Sequence, residues 1–547
     1  MTILKNKLNV VLDIGKTNVK LIFLKNKKIV KEYKTKQQNS YFKNSIKTLE
    51  ANKIVNWLIK KLNKESDKHI LNNFVCTTHG CSLAFIDFDD KEIIACTDYE
   101  FPFDKYKEEF LKIEPKFSSS FTPLLEGGLN TGMQIFYFSK KFPEILNKTK
   151  FILSYPQYVA WKLSNVFASE ITYIGCHSYL WDFDKNKYSQ LVKKLNVKKK
   201  FPPMKNAWDV IGKFKNTNMN INILNGIHDS NASYLYFLNS NLKNFTLVST
   251  GTWYITLNQK TNIKKLKPSY DMLCGINAFG KSVPTMRFMG GREYEILIKK
   301  LKISSNKFKI SKSVLQQNLL LPSYAPGGPF KIIEHNFKKL IKLNNNEKYS
   351  LVCVYISFVL NFILDQMHSK NSLILDGPVT QNQHIMKIIA SLRKNQNIFK
   401  NTKQVGTGLG ASILFNIKLN NKLSLSKVKS AKKYNLIKSA VFKIYYSYQT
   451  LRDFVEELKE SGAKLELKSQ NFKPFEEYDK EKLNLFKKEL DLIKKQKNKK
   501  EGYGDVIKCN VENGIYNVYN TEIRCEDETY EGKAHSQYST AVLVLKK

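Results

Sequence analysis

The sequence predicts an α/β protein made of two related halves that flank a cleft, followed by a small α+β appendage. Residues 8–35 alternate as a strand–turn–strand–turn–strand meander, and a second strand–turn–strand unit begins near residue 245. Helical and strand patterns alternate after both units. A polar joint rich in Lys and Ser follows residue 425. We therefore expect halves at 1–240 and 241–425 and an appendage at 435–547.

The spacing of apolar residues predicts the strands and helices of the first half. An apolar run ends at Asp13, a tight turn covers residues 15–18, and a second apolar run follows. The spacing of apolar residues predicts a helix over 45–64 and a strand over 69–80. These elements form the first α/β half.

The second half repeats this order. Residues 245–260 predict a strand, a small polar turn and a strand, and helical patterns follow at 293–302 and 349–368. A third strand and turn are expected at 372–382, and a Gly-rich turn within 405–415 opens an apolar helix. The two matching units favour a duplicated architecture. A dinucleotide-binding or Walker-type fold is disfavoured, because neither G-x-G-x-x-G after the first strand nor G-x-x-x-x-G-K-[ST] is present.

The appendage differs from both halves in its amino-acid composition and pattern. Helical patterns occur near 449–461 and 477–498, and the Lys run at 494–500 reads as a solvated helix end. Strand-like runs complete the sequence at 505–511, 514–523 and 539–547. Its function is not indicated by any motif that we can place.

The net charge of +41 raises the question of a nucleic-acid partner. Only five residues are Arg, however, and the Lys residues are spread along the whole chain with Asn and Ile. Nucleic-acid proteins usually cluster their basic residues and use Arg to contact bases and phosphates. We therefore expect no nucleic acid, although the charge can draw anionic nucleotides toward a cleft.

The location and redox state are also predicted from composition. No apolar run approaches the ~20 residues of a membrane span, and the N-terminal residues lack the features of a signal peptide. The eight cysteines form no C-x-x-C pair and have no His at zinc spacing. We expect a cytoplasmic protein without a membrane partner, with cysteines that act as small buried hydrophobes.

Asp13 and the turn after it are the first candidate site. A carboxylate at a strand end can hold hydrated Mg²⁺, and backbone N–H groups of the turn can bind phosphate oxygens. Lys16 or Lys20 would then lie near the transferred group. A β-hairpin with an Asx turn explains the same residues equally well.

A similar turn in the second half contains Ser249, Thr250, Gly251 and Thr252. Two such turns that face each other can hold a polyphosphate from both sides. The alternative is a second hairpin, which becomes less attractive because the two units match.

Two further stretches bear on catalysis. Asp229 follows His228 before a run of small residues, and phosphoryl transfer to an alcohol needs a carboxylate that accepts the hydroxyl proton. Its alternative role is a helix N-cap. Gly406, Gly408 and Gly410 allow close backbone approach and a helix start that binds anions, although one Gly-rich turn is weak evidence.

The order of these motifs over roughly residues 8–418 resembles the FGGY family of carbohydrate kinases. The matching stretches include "LDIGKTNVKL", "TTHGCSLAFID", "GIHDSNASYL", "STGTWYI", "RFMGGREYEIL", "LDGPVTQN" and "GTGLGASILF". The resemblance implies two domains with the actin-like (ribonuclease H-like, sugar kinase/Hsp70-type) fold. It also implies an ATP-dependent kinase with Mg²⁺ and a sugar substrate. A homodimer is an open alternative for the assembly.

The resemblance implies a role for each motif residue. Asp229 is implied as the catalytic base and Asp13 as the metal ligand. The implied ATP and phosphate contacts are Gly15, Lys16, Thr17, Asn18, Gly251, Thr252, Gly377, Gly406, Thr407 and Gly408. The implied sugar contacts are His79, Gly80, His228 and Asp229.

Within the family, the His-Asp pair and the string S-T-G-T-W resemble rhamnulokinases and fuculokinase-type relatives. This implies a ketose or 6-deoxy-ketohexose of the L-rhamnulose or L-fuculose type, phosphorylated at O1. The alternatives are a kinase for xylulose, glycerol or another polyol, and a non-catalytic binding protein of the same fold. The pattern departs from the family at Gly377–Pro378, which leaves the adenine contacts open.

Overall fold

A computed structural model gives the architecture. It describes residues 6–434, apart from 37–39, 217–218, 319, 331, 333–336, 403–405 and 421, together with residue 437 and the backbone of 464–469 and 521–526. Most of the predicted appendage, including both of its helices and the strands at 505–511 and 539–547, lies outside these residues.

The first half contains fourteen described strands and nine α-helices. The strands are β1 Lys7–Ile14, β2 Asn18–Lys25, β3 Lys28–Lys36, β4 Tyr41–Lys43, β5 Ile46–Thr48, β6 Ile70–Thr78, β7 Leu83–Asp87, β8 Glu92–Ile94, β9 Thr149–Ser154, β10 Trp181–Asp182, β11 Lys187–Tyr188, β12 Val210–Asn216, β13 Met219–Leu224 and β14 Ile227–His228. The helices are α1 Ala51–Ser66, α2 Lys107–Leu111, α3 Phe117–Ser120, α4 Thr131–Lys141, α5 Pro143–Lys148, α6 Tyr155–Ser164, α7 Ile171–Ile174, α8 Gln190–Lys194 and α9 Asp229–Leu238.

The first-half sheet has the strand order β12-β13-β6-β1-β2-β3, with β14 also paired to β6. Strands β1, β2 and β3 form an antiparallel meander, whereas β6 runs parallel to β1. The predicted meander and the strand over 69–80 are confirmed. The helix predicted over 45–64 begins later, at Ala51, because Ile46–Thr48 pairs with β4 as a strand.

The second half contains seven described strands and six α-helices. The strands are β15 Phe245–Thr250, β16 Tyr254–Leu257, β17 Met272–Ile276, β18 Ser282–Phe288, β19 Ser372–Asp376, β20 Ile398–Asn401 and β21 Leu425–Lys427. The helices are α10 Gly290–Lys300, α11 Lys312–Gln317, α12 Lys338–Ile341, α13 Asn345–Gln366, α14 Gln383–Leu392 and α15 Thr407–Ser412.

The second-half sheet repeats the topology of the first. Its order is β17-β18-β16-β15-β19-β20-β21, and β15, β16 and β18 form the antiparallel meander. Strand β19 is parallel to β15, as β6 is parallel to β1. The duplicated architecture predicted from two strand–turn–strand units is therefore confirmed.

Helix α13 is the centre of the second-half core. It is long and apolar enough to cross a membrane by length and composition, which corrects the expectation that no run approaches that length. Most of its surface is covered by the second sheet and neighbouring helices. Its apolar character therefore follows from burial on nearly all sides.

The two halves exchange elements at their junction. Helix α15 belongs to the second half in sequence, but Gly410 packs so closely on α9 that a Cβ there would lie 2.0 Å from the Ala232 carbonyl oxygen. In return, Phe121 of the first half joins the core of the second, and its carbonyl oxygen accepts a hydrogen bond from Cys274 N. Contacts between the two halves thus cross the boundary near residue 240, which stays a prediction.

The polar joint predicted near 420–434 packs against the second half. Residues 425–427 add β21 to the sheet edge, and the buried Tyr434 hydroxyl lies 2.6 Å from His384 Nδ1. Ile437 is buried in the same core. Beyond it, the described backbone has two antiparallel strands, β22 Lys464–Ser469 and β23 Thr521–Glu526, of which only the second overlaps a predicted strand.

Candidate active site

Asp229 occupies the first position of α9, directly after the short strand β14. Of its side chain, 28% is exposed, while the groups around it are buried. Burial raises the pKa of the Asp229 carboxyl, and the nearby His79 ring opposes this shift. A carboxylate with a raised pKa that solvent can still reach is suited to accept a proton.

Asp13 lies at the end of β1, and 7% of it is exposed. Burial is the main cause of its raised pKa, and the charge of Asp229 raises it further. The Thr407 hydroxyl donates a hydrogen bond of 2.5 Å to Asp13 Oδ2 and lowers the pKa, as does the charge of Lys20. Asp13 and Asp229, which are distant in sequence, therefore share one electrostatic environment.

Two buried histidines flank Asp229. The His228 Nε2 atom lies 3.5 Å from Asp229 Oδ1, and burial lowers the pKa of His228 to about 4. His79 Nδ1 lies 2.9 Å from the Gly80 carbonyl oxygen, so the proton of the neutral ring is on Nδ1. His79 Nε2 is buried and has no hydrogen-bond partner among the described residues. It can accept a hydrogen bond from a hydroxyl group.

Gly80 is required by the close approach of the His228 ring. A Cβ at this position would lie 2.6 Å from His228 Nε2. The glycine between β6 and β7 therefore makes room for the His228 ring beside Asp229. The structure brings together the four predicted sugar contacts.

The first phosphate turn is tight and open to solvent. Gly15 N donates a hydrogen bond of 2.9 Å to the Asn18 carbonyl oxygen, and Thr17 and Asn18 are exposed. The exposed positions leave the turn accessible to a phosphate. Its predicted role stays a prediction.

The Lys16 ammonium is held by residues that follow strand β8 of the first half. It pairs with Asp98 at 2.5 Å and lies 4.5 Å from the Tyr99 ring centroid. Asp98 is buried, and although burial opposes the shift, hydrogen bonds from Lys16 and Ser40 lower its pKa to about 2. Sequence reasoning missed Asp98 and Tyr99, because "TDYE" has no distinguishing spacing and lies 82 residues from Lys16.

The second phosphate turn is held from two sides. A Cβ at Gly291, in the first turn of α10, would lie 2.0 Å from the Gly251 carbonyl oxygen. A Cβ at Gly377, which has a φ of +86°, would lie 2.1 Å from the Thr250 carbonyl oxygen. Gly251 and Thr252 themselves are exposed. The doubled glycine in "MGGRE" was the available signal for Gly291, but sequence reasoning gave it no role.

The Gly-rich stretch reaches the first half. Thr407 contacts Asp13, and a Cβ at Gly408 would lie 2.4 Å from the Ile22 side chain. Gly406, in contrast, has open space around it. Thr407 and Gly408 are therefore brought to Asp13, whereas the structure gives Gly406 no comparable contact.

The residues also permit a magnesium ion at Asp13. Two carboxylates in electrostatic range, Asp13 and Asp229, favour a cation near them, and hard cations prefer oxygen ligands. No group of three or more His, Cys, Asp or Glu residues that could hold a metal is found in the described part of the chain. A hydrated ion held by one carboxylate and substrate phosphates fits this composition.

Comparison with known proteins agrees with the geometry. Residues 8–235 match the model for the FGGY family of carbohydrate kinases, N-terminal domain, and residues 242–423 match that for carbohydrate kinase FGGY, C-terminal domain. No curated protein sequence matches the chain.

Solved structures share the fold. A carbohydrate kinase from Novosphingobium aromaticivorans superposes with a TM-score of 0.68 at 24% identity, covering 77% of this chain and 96% of its own. A ligand-bound xylulose kinase from Lactobacillus acidophilus gives 0.66 at 13% identity, with 82% and 98% covered. A Plasmodium falciparum glycerol kinase with ADP gives 0.61 at 16% identity, with 81% and 98% covered.

Proposed function

This chain belongs to the FGGY family of carbohydrate kinases and is an ATP-dependent sugar kinase; we propose that it phosphorylates O1 of a ketose or 6-deoxy-ketohexose of the L-rhamnulose or L-fuculose type. The substrate class in this proposal rests on the resemblance of the His228–Asp229 pair and the string S-T-G-T-W to rhamnulokinases and fuculokinase-type relatives. The observation that carries the catalytic part of the proposal is the position of Asp229. It stands at the start of α9, between two buried histidines and within electrostatic range of Asp13. This arrangement suits a base that faces a sugar hydroxyl.

Asp229 accepts the proton of the acceptor hydroxyl as that oxygen attacks the γ-phosphorus atom. Its raised pKa makes it a better proton acceptor than an exposed carboxylate. The reaction gives ADP and a sugar phosphate monoester. The proton leaves Asp229 to solvent after the product departs.

The histidines bind and orient the sugar. Burial lowers the pKa of both His79 and His228, so both rings are neutral near pH 7. A neutral ring offers one donor and one acceptor nitrogen, which is the pattern needed for sugar hydroxyls. Neither ring carries a positive charge that would hold Asp229 in a permanent ion pair.

Magnesium would be held by Asp13, with the Thr407 hydroxyl fixing that carboxylate. When bound, the ion neutralises charge on the transferring phosphates. The turns at Gly15–Asn18 and Gly251–Thr252 would contact the phosphate oxygens from the two halves. Each turn contains exposed residues, Thr17 and Asn18 in the first and Gly251 and Thr252 in the second, and connects a pair of strands, β1–β2 or β15–β16.

A second candidate is a kinase of a pentulose or a polyol. It is favoured by structural neighbours described as xylulose, gluconate and glycerol kinases. A non-catalytic role in the same fold is the third alternative. It is disfavoured because both Asp13 and Asp229 are present and lie in electrostatic range of each other.

A substrate panel tests the proposal. The full chain is incubated with Mg-ATP and L-rhamnulose, L-fuculose, D-xylulose, gluconate or glycerol, and ADP release is measured. Phosphorus NMR of the product then identifies the esterified oxygen. We expect the highest kcat/KM for a 6-deoxy-ketohexose, with the phosphate at O1. A preference for gluconate or glycerol would contradict a ketose substrate, and a preference for D-xylulose would contradict the L-rhamnulose or L-fuculose type. ADP release without a sugar phosphate would show that the sugar is not the phosphoryl acceptor.

A further inference from the structure

A buried carboxyl group lies behind the strand that leads to Asp229. Glu170 is fully buried and caps the short helix α7. Its Oε2 atom accepts two hydrogen bonds from Thr172, one from the backbone N at 3.0 Å and one from Oγ1 at 2.5 Å. The proposed reaction does not use Glu170, and its burial requires an explanation.

Thr172 connects this carboxyl group to the active site. The Thr172 Oγ1 atom accepts a hydrogen bond of 3.2 Å from His228 N. A hydroxyl group has one proton, and Thr172 donates it to Glu170, so its lone pairs face the His228 N–H group. Glu170 therefore determines which way the Thr172 hydroxyl points.

The bond acts where the backbone has little other support. Strand β14 consists only of Ile227 and His228, which pair with Thr77 and Thr78 of β6. Asp229 begins α9 at the next residue. A change in the His228 backbone would therefore move the Asp229 carboxylate directly.

We infer that Glu170 is a positioning residue for Asp229, acting through the Thr172 hydroxyl and the backbone of His228. The inference rests on the proposed role of Asp229 as the base. Glu170 itself touches neither sugar nor ATP in this arrangement. Its carboxylate orients the hydroxyl that holds the end of β14.

The ionisation of Glu170 offers a specific readout. Burial raises its pKa to about 7, against the opposing hydrogen bonds from Thr172 and from the Tyr173 backbone. Strands β14 and β17 pack against α7, and the titratable groups described on these three elements are Tyr173, His228 and Cys274. The pKa of Tyr173 is raised, that of Cys274 is raised to about 12, and that of His228 is lowered to about 4. All three are neutral near pH 7. Glu170 therefore changes charge in a range where these neighbours do not.

The sign of the effect follows from hydrogen-bond strength. A carboxylate is a stronger acceptor than a carboxylic acid, so the Thr172 hydroxyl is held most firmly above about pH 7. Glu170→Gln keeps the shape of the side chain but is neutral at every pH. Thr172→Val removes the hydroxyl, and Thr172→Ser is its matched control.

The experiment measures kcat, KM for the sugar and the pH dependence of kcat in the full-length variants. We expect Thr172→Val to lower kcat by roughly ten- to a hundredfold through misplacement of the base, with a smaller change in KM. Thr172→Ser should stay close to wild type. In Glu170→Gln, the part of the kcat profile that rises through about pH 7 should be absent.

Asp229→Asn distinguishes a failure of the inference about Glu170 from a failure of the proposed role of Asp229 as the base. If Asp229→Asn is inactive while Thr172→Val and Glu170→Gln retain wild-type kcat and pH profile, the inference is overturned and the proposed function stands. A lower thermal midpoint without a change in kcat also overturns it, since it shows a structural role alone. If Asp229→Asn is active, the proposed base is wrong whatever Glu170 does. If Thr172→Val fails to fold, the Glu170→Gln pH profile decides.

Discussion

The Thr407 hydroxyl donates a hydrogen bond of 2.5 Å to Asp13 Oδ2 and joins residues that are 394 positions apart. Asp13 is the next-to-last residue of the first strand of the first half, and Thr407 begins the helix that returns from the second half. The contact thus forms only when both halves are folded. It couples the carboxylate proposed for the metal to the Gly-rich stretch proposed for the nucleotide.

Thr407→Val should move the acidic limb of turnover to higher pH. The hydrogen bond lowers the pKa of Asp13, so its loss leaves the effects of burial and of Asp229 less opposed. A larger fraction of Asp13 is then protonated at a given pH, and the apparent affinity for Mg²⁺ falls. Kinetic titration with Mg²⁺ at several pH values measures the acidic limb of turnover and the apparent affinity for Mg²⁺. Thr407→Ser is the control, and an acidic limb that does not move would contradict the coupling.

Gly410→Ala should be much more harmful than Gly406→Ala. A methyl group at Gly410 would overlap the Ala232 carbonyl oxygen, whereas Gly406 has open space and a φ of −70° that any residue adopts. We expect Gly410→Ala to lower the free energy of unfolding by about 1–3 kcal/mol, as overpacking does. It should also weaken ATP binding, since it displaces α15. Equal thermal midpoints for the two variants would contradict the packing described for α9 and α15.

A chain that ends near Lys432 should be less stable than the full chain. The sequence favoured a separate appendage with a boundary just after this joint, but Tyr434 and Ile437 are buried in the second-half core. Tyr434→Ala in the full chain should cost about 3 kcal/mol, by analogy with other large-to-small core changes. Tyr434→Phe, which removes the hydroxyl that contacts His384, should cost about 1 kcal/mol. If the chain that ends near Lys432 unfolds at the same midpoint as the full chain, Tyr434 and Ile437 do not stabilise the second-half core.

The contribution of His228 to stability should rise with pH between about 4 and 6.5. Its folded pKa of about 4 lies below the ordinary value of 6.5, so the unfolded chain binds a proton in this range that the folded chain does not. The effect is roughly 3 kcal/mol over the whole range. Glu170 acts in the opposite direction, since its folded pKa is raised.

The difference between wild type and His228→Asn isolates the histidine from Glu170. Denaturant unfolding at several pH values measures it. The wild type should lose more stability than the variant as the pH falls through this range. A constant difference would show that His228 is not buried in its neutral form.

Local patterns were enough to predict the repeated part of the fold. The strand–turn–strand units at 8–35 and 245–260 have short apolar runs on either side of turns made of small and polar residues, so both were placed correctly. The start of α1 was misplaced because Ile46–Thr48 forms a strand through pairing with β4 and a bridge from Thr48 to Thr97. Such pairing depends on tertiary contacts that a helical period does not contain.

The site was predictable where a motif carries its own geometry. Asp13, Asp229 and the Gly residues of the turns stand out because their residue types are unusual at strand and helix ends. Asp98 and Glu170 do not, since an acid in "TDYE" or "ASEIT" looks the same whether it is exposed or buried. Their importance comes from burial and from partners, Lys16 and Thr172, that the fold brings to them.

The most direct test of the proposed mechanism is the turnover number of Asp229→Asn with Mg-ATP and the preferred sugar. Asparagine keeps the shape but cannot accept the proton, so kcat should fall by at least ~10²–10⁴-fold, the usual contribution of a general base. Calorimetry should show ATP and sugar affinities close to those of wild type. Asp184→Asn, at an exposed carboxylate in the first half, is the matched control and should leave kcat unchanged. Near wild-type turnover in Asp229→Asn would contradict the assignment of Asp229 as the base.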